Sequence, residues 1–291
     1  MDLNLVLQSL ISGISIGCVY GLIGIGFCVI YNASGIVNFA QGAFVMIGGM
    51  ATYVLMTDYN LPYAVAAICA ILLAGLVGAV VERLVVRPLW DRNAAMFVMI
   101  LATLAAQIVI ERLAYILVDD QPKTLPPFTD IAPIRLGGIA VNYQSLWIVG
   151  CSVLIILALN SFFRSTRTGK AMRAVSINAE AAALQGIPVS RMLTLAFVLS
   201  AMLGAVAGIL LTPTQYTAFN MGVPFAISGF IAAIIGGFGK PLGAFIGGIA
   251  LGVIQSMAIL GLGAGFKNVA ALSLLLLFLF FRPSGLLGST R

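Results

Sequence analysis

The chain has 291 residues, of which 61% are hydrophobic and only 8% charged, with mean hydropathy +1.12 and a formal net charge of +6. A soluble domain carries roughly 25% charged residues, so no water-soluble fold could cover itself with this composition, and the repeated long apolar runs call for membrane-crossing helices rather than a barrel. The lack of histidine removes the commonest metal ligand and general base, and excess Lys and Arg here marks cytoplasmic loops rather than affinity for nucleic acid.

The opening MDLNLVLQSL has an acid and no Lys or Arg ahead of the first apolar run. It lacks the basic start of a cleaved signal, and a retained helix is expected over 5–30. Gly13, Gly17 and Gly21 recur every four residues there, a stripe that lets another backbone approach, within the subunit or at a subunit interface. Further spans are predicted over 37–56, 62–82 and 94–118, each near the ~20 residues that cross a hydrocarbon core. Between the first two lies YNASGIVNFAQG, residues 31–42. Asn32, Asn38 and Gln41 are polar and must find partners or line a wet cavity. The stretch reads either as a broken helix beside a solute path or as a tight cytoplasmic turn. In the fourth span Gln107, Glu111 and Tyr115 recur every four residues on one face, as a structural ion pair or hydrogen-bonded network or as part of a path. The stretch 119–142, with DDQPKTLPPFTDIAPIR, reads as an ordered cap without regular helix.

After a span at 143–163, residues 164–190 form a polar island that is basic at both ends. Within it Asn178 is a good N-cap, Ala179 to Gln185 are helix formers with Glu180 in the first turn, and Gly186 then Pro188 supply the stop. So short a helix is marginal alone in water and needs a surface to dock on; an amphipathic linker on lipid headgroups is the other reading. Spans follow at 191–212, 223–238, 242–261 and 267–281. Gly204 with Gly208, and Gly243, Gly247, Gly248 and Gly252, repeat the small-residue stripe. FAQGAFVMIGG from Phe39 weakly echoes FAISGFIAAIIGG from Phe225, in helices predicted to run oppositely, as an inverted repeat would. IIGGFGKPLG fails as a phosphate loop, because Pro241 follows Lys240. Cys18, Cys28, Cys69 and Cys151 sit in apolar runs at spacings that match no metal motif.

The fold class is thus an all-α, polytopic bundle of about nine crossings, or eight if 37–56 or 223–238 is re-entrant. It forms a single domain over 1–291. With 164–190 placed in the cytoplasm, Arg83, Arg87, Arg92, Arg164, Arg167, Lys170, Arg173, Arg191, Lys240, Arg282 and Arg291 fall inside, against Lys123, Arg135 and Lys267 outside. The N-terminus is then outside, the C-terminus cytoplasmic, and 119–142 extracytoplasmic.

The segment GKAMRAVSINAEAAALQGIPVSR resembles the coupling segment of ABC-importer permeases, whose signature is Glu-Ala-Ala with Gly a few residues on; Glu180, Ala181, Ala182 and Gly186 fit it. With GIVNFAQGAFVMIGG, ERLVVRPL, LTLAFVLSAMLGAVAGIL and FRPSGLLG, the chain resembles branched-chain amino acid permeases of the LivH/LivM type along nearly its whole length. Gln41 and Ala43 stand where relatives often carry His and a polar residue. The resemblance implies a multi-pass subunit in a bacterial plasma (inner) membrane, importing branched-chain or other hydrophobic amino acids without covalent chemistry of its own. Implied partners are two cytoplasmic ATPases that bind ATP and magnesium, a second related permease (a paralogue, or an identical copy), an extracytoplasmic binding protein and membrane lipid, with no nucleic acid. No cofactor is expected in this chain. ATPase coupling then falls to Asn178, Glu180, Ala181, Ala182 and Gly186, and a path is sought near Asn32, Asn38, Gln41, Gln107 and Glu111. A stand-alone secondary transporter or channel fits the composition but leaves the docking helix idle. A membrane enzyme lacks its usual base and ligand.

The charge asymmetry predicts that Thr166→Cys and Thr129→Cys, each in a background freed of native cysteines, label from opposite faces. In intact cells an impermeant maleimide should reach only Thr129→Cys. Labelling of both from outside overturns the orientation.

Overall fold

Helix α1, Leu3–Ser34, is the axis of the bundle in this computed structural model, which describes residues 3–136, 139–282 and 284–287. Its 32 residues extend about 48 Å. From Cys18 to Ile30 every residue is buried, the condition of a helix that is apolar all round. Arg291, and Pro283 and Gly288 of the FRPSGLLG block, lie outside the described residues.

The remaining helices are α2 (Gln41–Thr57), α3 (Tyr63–Val81), α4 (Arg87–Asp91), α5 (Met96–Val118), α6 (Tyr143–Ser165), α7 (Arg167–Ile177), α8 (Ala179–Leu184), α9 (Val189–Leu211), α10 (Gly222–Gly236), α11 (Pro241–Leu262) and α12 (Lys267–Phe281). Among the described residues seven helical runs are long and apolar enough to cross a membrane; α2 and α10 are apolar but shorter, at 17 and 15 residues. These are the two segments whose crossing was left open. The 119–142 stretch carries no helix among the described residues, as expected of an ordered cap; β1 (Ile134–Leu136) and β2 (Ile139–Val141) form an antiparallel hairpin in it, so the fold departs from all-α here. Phe128 packs between Tyr63 and Trp147, and the Lys123 backbone pairs with that of Thr217, fixing this cap to the bundle.

Glycine stripes set the packing. A Cβ on Gly17 would lie 2.7 Å from the Gly248 carbonyl oxygen and from Ile249 Cα, and Gly13 meets Val253 in the same way. The α1 stripe is therefore used inside the subunit, against antiparallel α11. α10 runs parallel to α1, with Tyr20 against Phe225 and Phe27 against Phe230. α2 runs parallel to α9, where Gly204 meets Phe44 and Gly208 meets Val45. α3 lies antiparallel on α9, with Gly78 against Ala201 and Phe197. Thus α1–α10–α11 and α9–α2–α3 are two trios of the same arrangement, oppositely directed. The FAQG/FAIS echo points to the right pair of helices but not their register. α2 and α10 start head to head, and a Cβ on Gly42 would lie 2.6 Å from the Gly222 carbonyl oxygen.

Two predicted boundaries move. The third span does not end at 82; it continues through a π-turn, Glu82–Val86, into α4. Pro88 has no N–H for the carbonyl of Leu84, and the ladder widens to let Arg87 N–H reach the Glu82 carbonyl, five residues back. The polar island is also more helical than expected. α6 runs on to Ser165, and α7 occupies GKAMRA, capped by Thr166, whose hydroxyl accepts from Gly169 N–H at 2.9 Å. Gly169, Met172 and Val175 form its buried edge, while Arg167, Lys170 and Arg173 face out.

Gly17→Val should lower stability by about 1–3 kcal/mol through overpacking against α11. Gly150→Ala, whose added methyl meets nothing within 4 Å, should be neutral or stabilising. Thermal melting of the detergent-solubilised protein separates them; equal melting temperatures would contradict the α1–α11 packing.

Candidate functional site

α8 is built by its ends. Asn178 is extended, and its Oδ1 accepts from Ala181 N–H at 2.9 Å. At the other end Gly186 N–H donates to Ala183 and Ile187 N–H to Ala182, with Gly186 at φ +81°: the paired bonds of a Schellman stop. The chain then turns through Pro188 straight into α9. Glu180 and Ala181 are exposed, but Ala182 is only 5% exposed and packs into the bundle. Ala182 is thus the foot on which α8 stands, and Glu180 and Ala181 are the members of the Glu-Ala-Ala run left at the surface. Sequence reading passed over two neighbours. Leu184 is 88% and Ile177 85% exposed, large apolar side chains held outward around a short polar helix. The sequence signal was an apolar residue breaking a polar island.

Beside the start of α9 sits a buried ion pair. Glu82 is 0% exposed; Arg87 Nε donates to its Oε1 at 3.0 Å and Nη2 to its Oε2 at 3.2 Å. Thr194 Oγ1 donates to Glu82 Oε2 at 2.9 Å, and Arg87 Nη2 also reaches the Ser190 carbonyl at 3.2 Å. The cluster therefore ties the α3–α4 junction to the first turns of α9, a few residues beyond the α8 stop. On a regular helix residues five apart point about 140° away from one another; the π-turn lets Glu82 and Arg87 meet, so the sequence pattern hid the pair.

The polar residues of 31–42 divide. Asn32 Nδ2 donates to the Gly239 carbonyl at 2.7 Å, joining the end of α1 to the α10–α11 turn. Beyond Gly35, at φ +69°, a non-helical stretch leads back into the bundle. Asn38 Oδ1 accepts from Ala40 N–H at 3.1 Å, while its Nδ2 is buried without a partner among the described residues. Gln41 exchanges bonds with Ser200: its Nε2 donates to the Ser200 carbonyl at 3.2 Å, and Ser200 Oγ donates to its Oε1 at 2.6 Å. Ser200 stands at the centre of α9, so α2 begins deep in the bundle. Its free N–H groups are met from the middle of α5: Gln107 Oε1 accepts from Ala43 N–H at 2.6 Å and Thr103 Oγ1 from Phe39 N–H at 3.2 Å. Gln107 Nε2 donates onward to Glu111 Oε1 at 2.6 Å. The polar face of α5 is thus a hydrogen-bonded network. It is not an ion pair, because the Arg112 guanidinium lies over the Phe219 ring at 5.9 Å. Tyr115 packs on that same ring.

Two cavities flank the axis. One of about 620 Å³, near α7, includes Asn32. Another of about 280 Å³, at the opposite end of α1, includes Gln255, whose buried amide has no partner among the described residues. Asn38, Gln41, Gln107 and Glu111 line neither; they converge where the starts of α2 and α10 meet.

The sequence matches, over residues 9–281, the family described as branched-chain amino acid transport system, permease component. It is 31% identical over 296 residues to the high-affinity branched-chain amino acid transport system permease protein BraD of Pseudomonas aeruginosa, covering 97% of this chain and 95% of that protein. It is similarly 31% identical over 300 residues to LivH of Salmonella typhimurium, and 30% over 300 residues to LivH of Escherichia coli strain K12. For both, 97% of this chain and 95% of the relative are covered.

Removing one partner of a buried polar pair strands the other. Glu82→Gln should cost about 3 kcal/mol, the lower end for a broken buried ion pair because Arg87 keeps some solvent. Gln107→Leu should cost about 1–3 kcal/mol by leaving Glu111 without its amide partner and Ala43 N–H with only the Ala40 carbonyl at 3.1 Å. Folded yield and melting temperature check both; wild-type values for Gln107→Leu would show that α2 does not depend on α5 for its cap.

Proposed function

The chain belongs to the permease-component family of branched-chain amino acid transport systems, and from that premise we propose that it is the membrane-spanning subunit of an ABC importer for branched-chain or other hydrophobic amino acids. The observation that carries the coupling role is a pair of exposed apolar side chains that flank a capped helix seated on the bundle: Leu184, the last residue of α8, and Ile177, the last of α7. Exposed apolar bulk of this kind on a polar segment marks a protein contact. The partner is an ATPase that presents a groove to α8, with Glu180 available for a basic residue at its edge. ATP and magnesium stay with that partner, and this chain performs no covalent chemistry.

Motion of the ATPase reaches the membrane through stiff links. The Schellman stop joins α8 directly to α9, and the Glu82–Arg87 cluster makes α3 and α4 move with α9. α9 also holds the start of α2 through Ser200 and Gln41. A displacement of α8 therefore shifts the head-to-head starts of α2 and α10. Broken helices meeting in mid-bundle are where transporters place their solutes. Asn38, Gln41, Gln107 and Glu111 border the path there, closed in this conformation. Asn32 stands at its cytoplasmic end.

In this reading the N-terminus is outside and the C-terminus cytoplasmic. All nine apolar helices belong to the membrane domain, with α2 and α10 as partial spans that complete crossings begun by the non-helical segments before them. The hairpin-bearing 119–142 segment faces an extracytoplasmic binding protein. A second, related permease completes the transporter.

Leu184→Glu changes only an exposed side chain, so the permease should fold and insert while ATPase co-purification and uptake are lost. Gly186→Val meets no atom within 4 Å; its effect is limited to the φ +81° strain, about 1–2 kcal/mol, and should weaken coupling without loss of folding. Ala182→Glu buries a charge and should lower folded yield instead. ATPase co-purification and labelled-leucine uptake, measured on the same preparations, decide this. Wild-type values for Leu184→Glu would remove α8 as the coupling element and favour a stand-alone transporter.

A further inference from the structure

The larger cavity, about 620 Å³, is walled by α1, α6, α7 and the start of α11. Its surface divides by chemistry. Val29 and Ala33 of α1 with Phe163 of α6 form an apolar depth and Leu242 of α11 its apolar edge, while Arg164, Arg173 and Lys240 bring cations from α6, α7 and the turn before α11. Among the described residues no Asp or Glu lines it. Among the described residues, the ion pairs are Arg87–Glu82 and Lys123–Asp119, so none of these three cations has a carboxylate partner. Lys240 Nζ donates to the Leu287 carbonyl on the cavity wall, a neutral partner that leaves its charge uncompensated. Positive residues on a cytoplasmic face are ordinary; three that converge on one apolar-floored cavity with no carboxylate among the described residues are not.

We propose that this cavity holds an anionic phospholipid of the adjoining leaflet. Its phosphodiester lies among Arg164, Arg173 and Lys240, and its glycerol and first acyl carbons lie on Val29, Ala33, Phe163 and Leu242. The charge pattern asks for an anion. The apolar floor asks for an anion with a hydrocarbon tail, because a free phosphate would leave that floor against water. The rim continues onto membrane-facing apolar surface: Leu242 and Ile246 of α11 and Leu154 and Leu157 of α6 are exposed. An acyl chain that enters at Leu242 therefore stays in hydrocarbon along its length. An acidic peptide would satisfy the cations but not the floor. Arg173 sits on α7, which leads directly into α8, so the bound lipid ties the docking region to α6 and α11 and makes its position depend on leaflet composition.

The test uses the full-length chain in nanodiscs of phosphatidylcholine alone or mixed with phosphatidylglycerol, with retained lipid measured by native mass spectrometry after release. The expected result is selective retention of phosphatidylglycerol that weakens as salt is raised. R164Q with R173Q should reduce retention by about fivefold per cation removed, and R164K with R173K should restore it. Leu242→Trp, which fills the cavity from its apolar edge and leaves the charge alone, should also expel the lipid; it keeps the test valid if the arginine variant fails to fold. Equal retention of both lipids, or unchanged retention in the folded R164Q/R173Q or Leu242→Trp protein, overturns the proposal. So does displacement of phosphatidylglycerol by inorganic phosphate or ATP at concentrations where chloride has no effect, since that identifies a site for free anions.

Discussion

In hydrocarbon a backbone N–H or C=O without a partner costs several kcal/mol, and no water is present to help. This permease nevertheless breaks its chain inside the bundle, between Ser34 and Gln41 and again before Gly222. It can do so because neighbouring helices supply the missing partners. Gln107 and Thr103 reach across from α5 to the N–H groups around the start of α2, and Ser200 binds both Gln41 and the Gly26 carbonyl. Every other feature of the central crossing rests on this substitution of side chain for water. At the start of α2 one group is left over: among the described residues Asn38 Nδ2 is buried without a partner, where two helix starts with their partial positive charge converge.

Polar partners at that depth can be held in place only if the helices approach closely. The apolar effect gives little drive between helices in lipid, so contact must come from fit. Glycines opposite backbone carbonyls, as at Gly17 against Gly248 and Gly42 against Gly222, bring the main chains within reach. The same closeness makes the two trios around α1 and α9 rigid. A bundle of this kind moves by relative shifts of whole helices, not by local deformation.

The Glu82–Arg87 cluster belongs to that mechanical picture more than to stability. A buried ion pair gains little over apolar packing, but it fixes registry and tolerates no loss of one member. Here it joins the π-turn after α3 to the beginning of α9, a few residues past the stop of α8. A regular helix would have kept Glu82 and Arg87 on different faces. Widening by one residue ahead of Pro88 brings the two side chains together.

Local chemistry was legible in the sequence. Asn178, the alanines, Gly186 and Pro188 wrote a capped helix because caps and stops depend on neighbours a few residues away. Composition required a helical membrane bundle, and the apolar runs marked its members, because hydropathy is a property of each segment by itself. What depended on distant contacts was not legible. Whether Gln41 lines water or meets Ser200, and whether Ala182 faces a partner or the bundle, are decided by helices more than a hundred residues away or by a one-residue rotation about a helix axis. Likewise Phe39 and Phe225 look alike in sequence, yet the structure opposes Gly42 and Gly222, since register follows from where the backbones can touch. The sequence determined the parts and their ends; only the tertiary structure decided which polar groups in lipid had found each other, because at that depth a partner is a matter of geometry and not of composition.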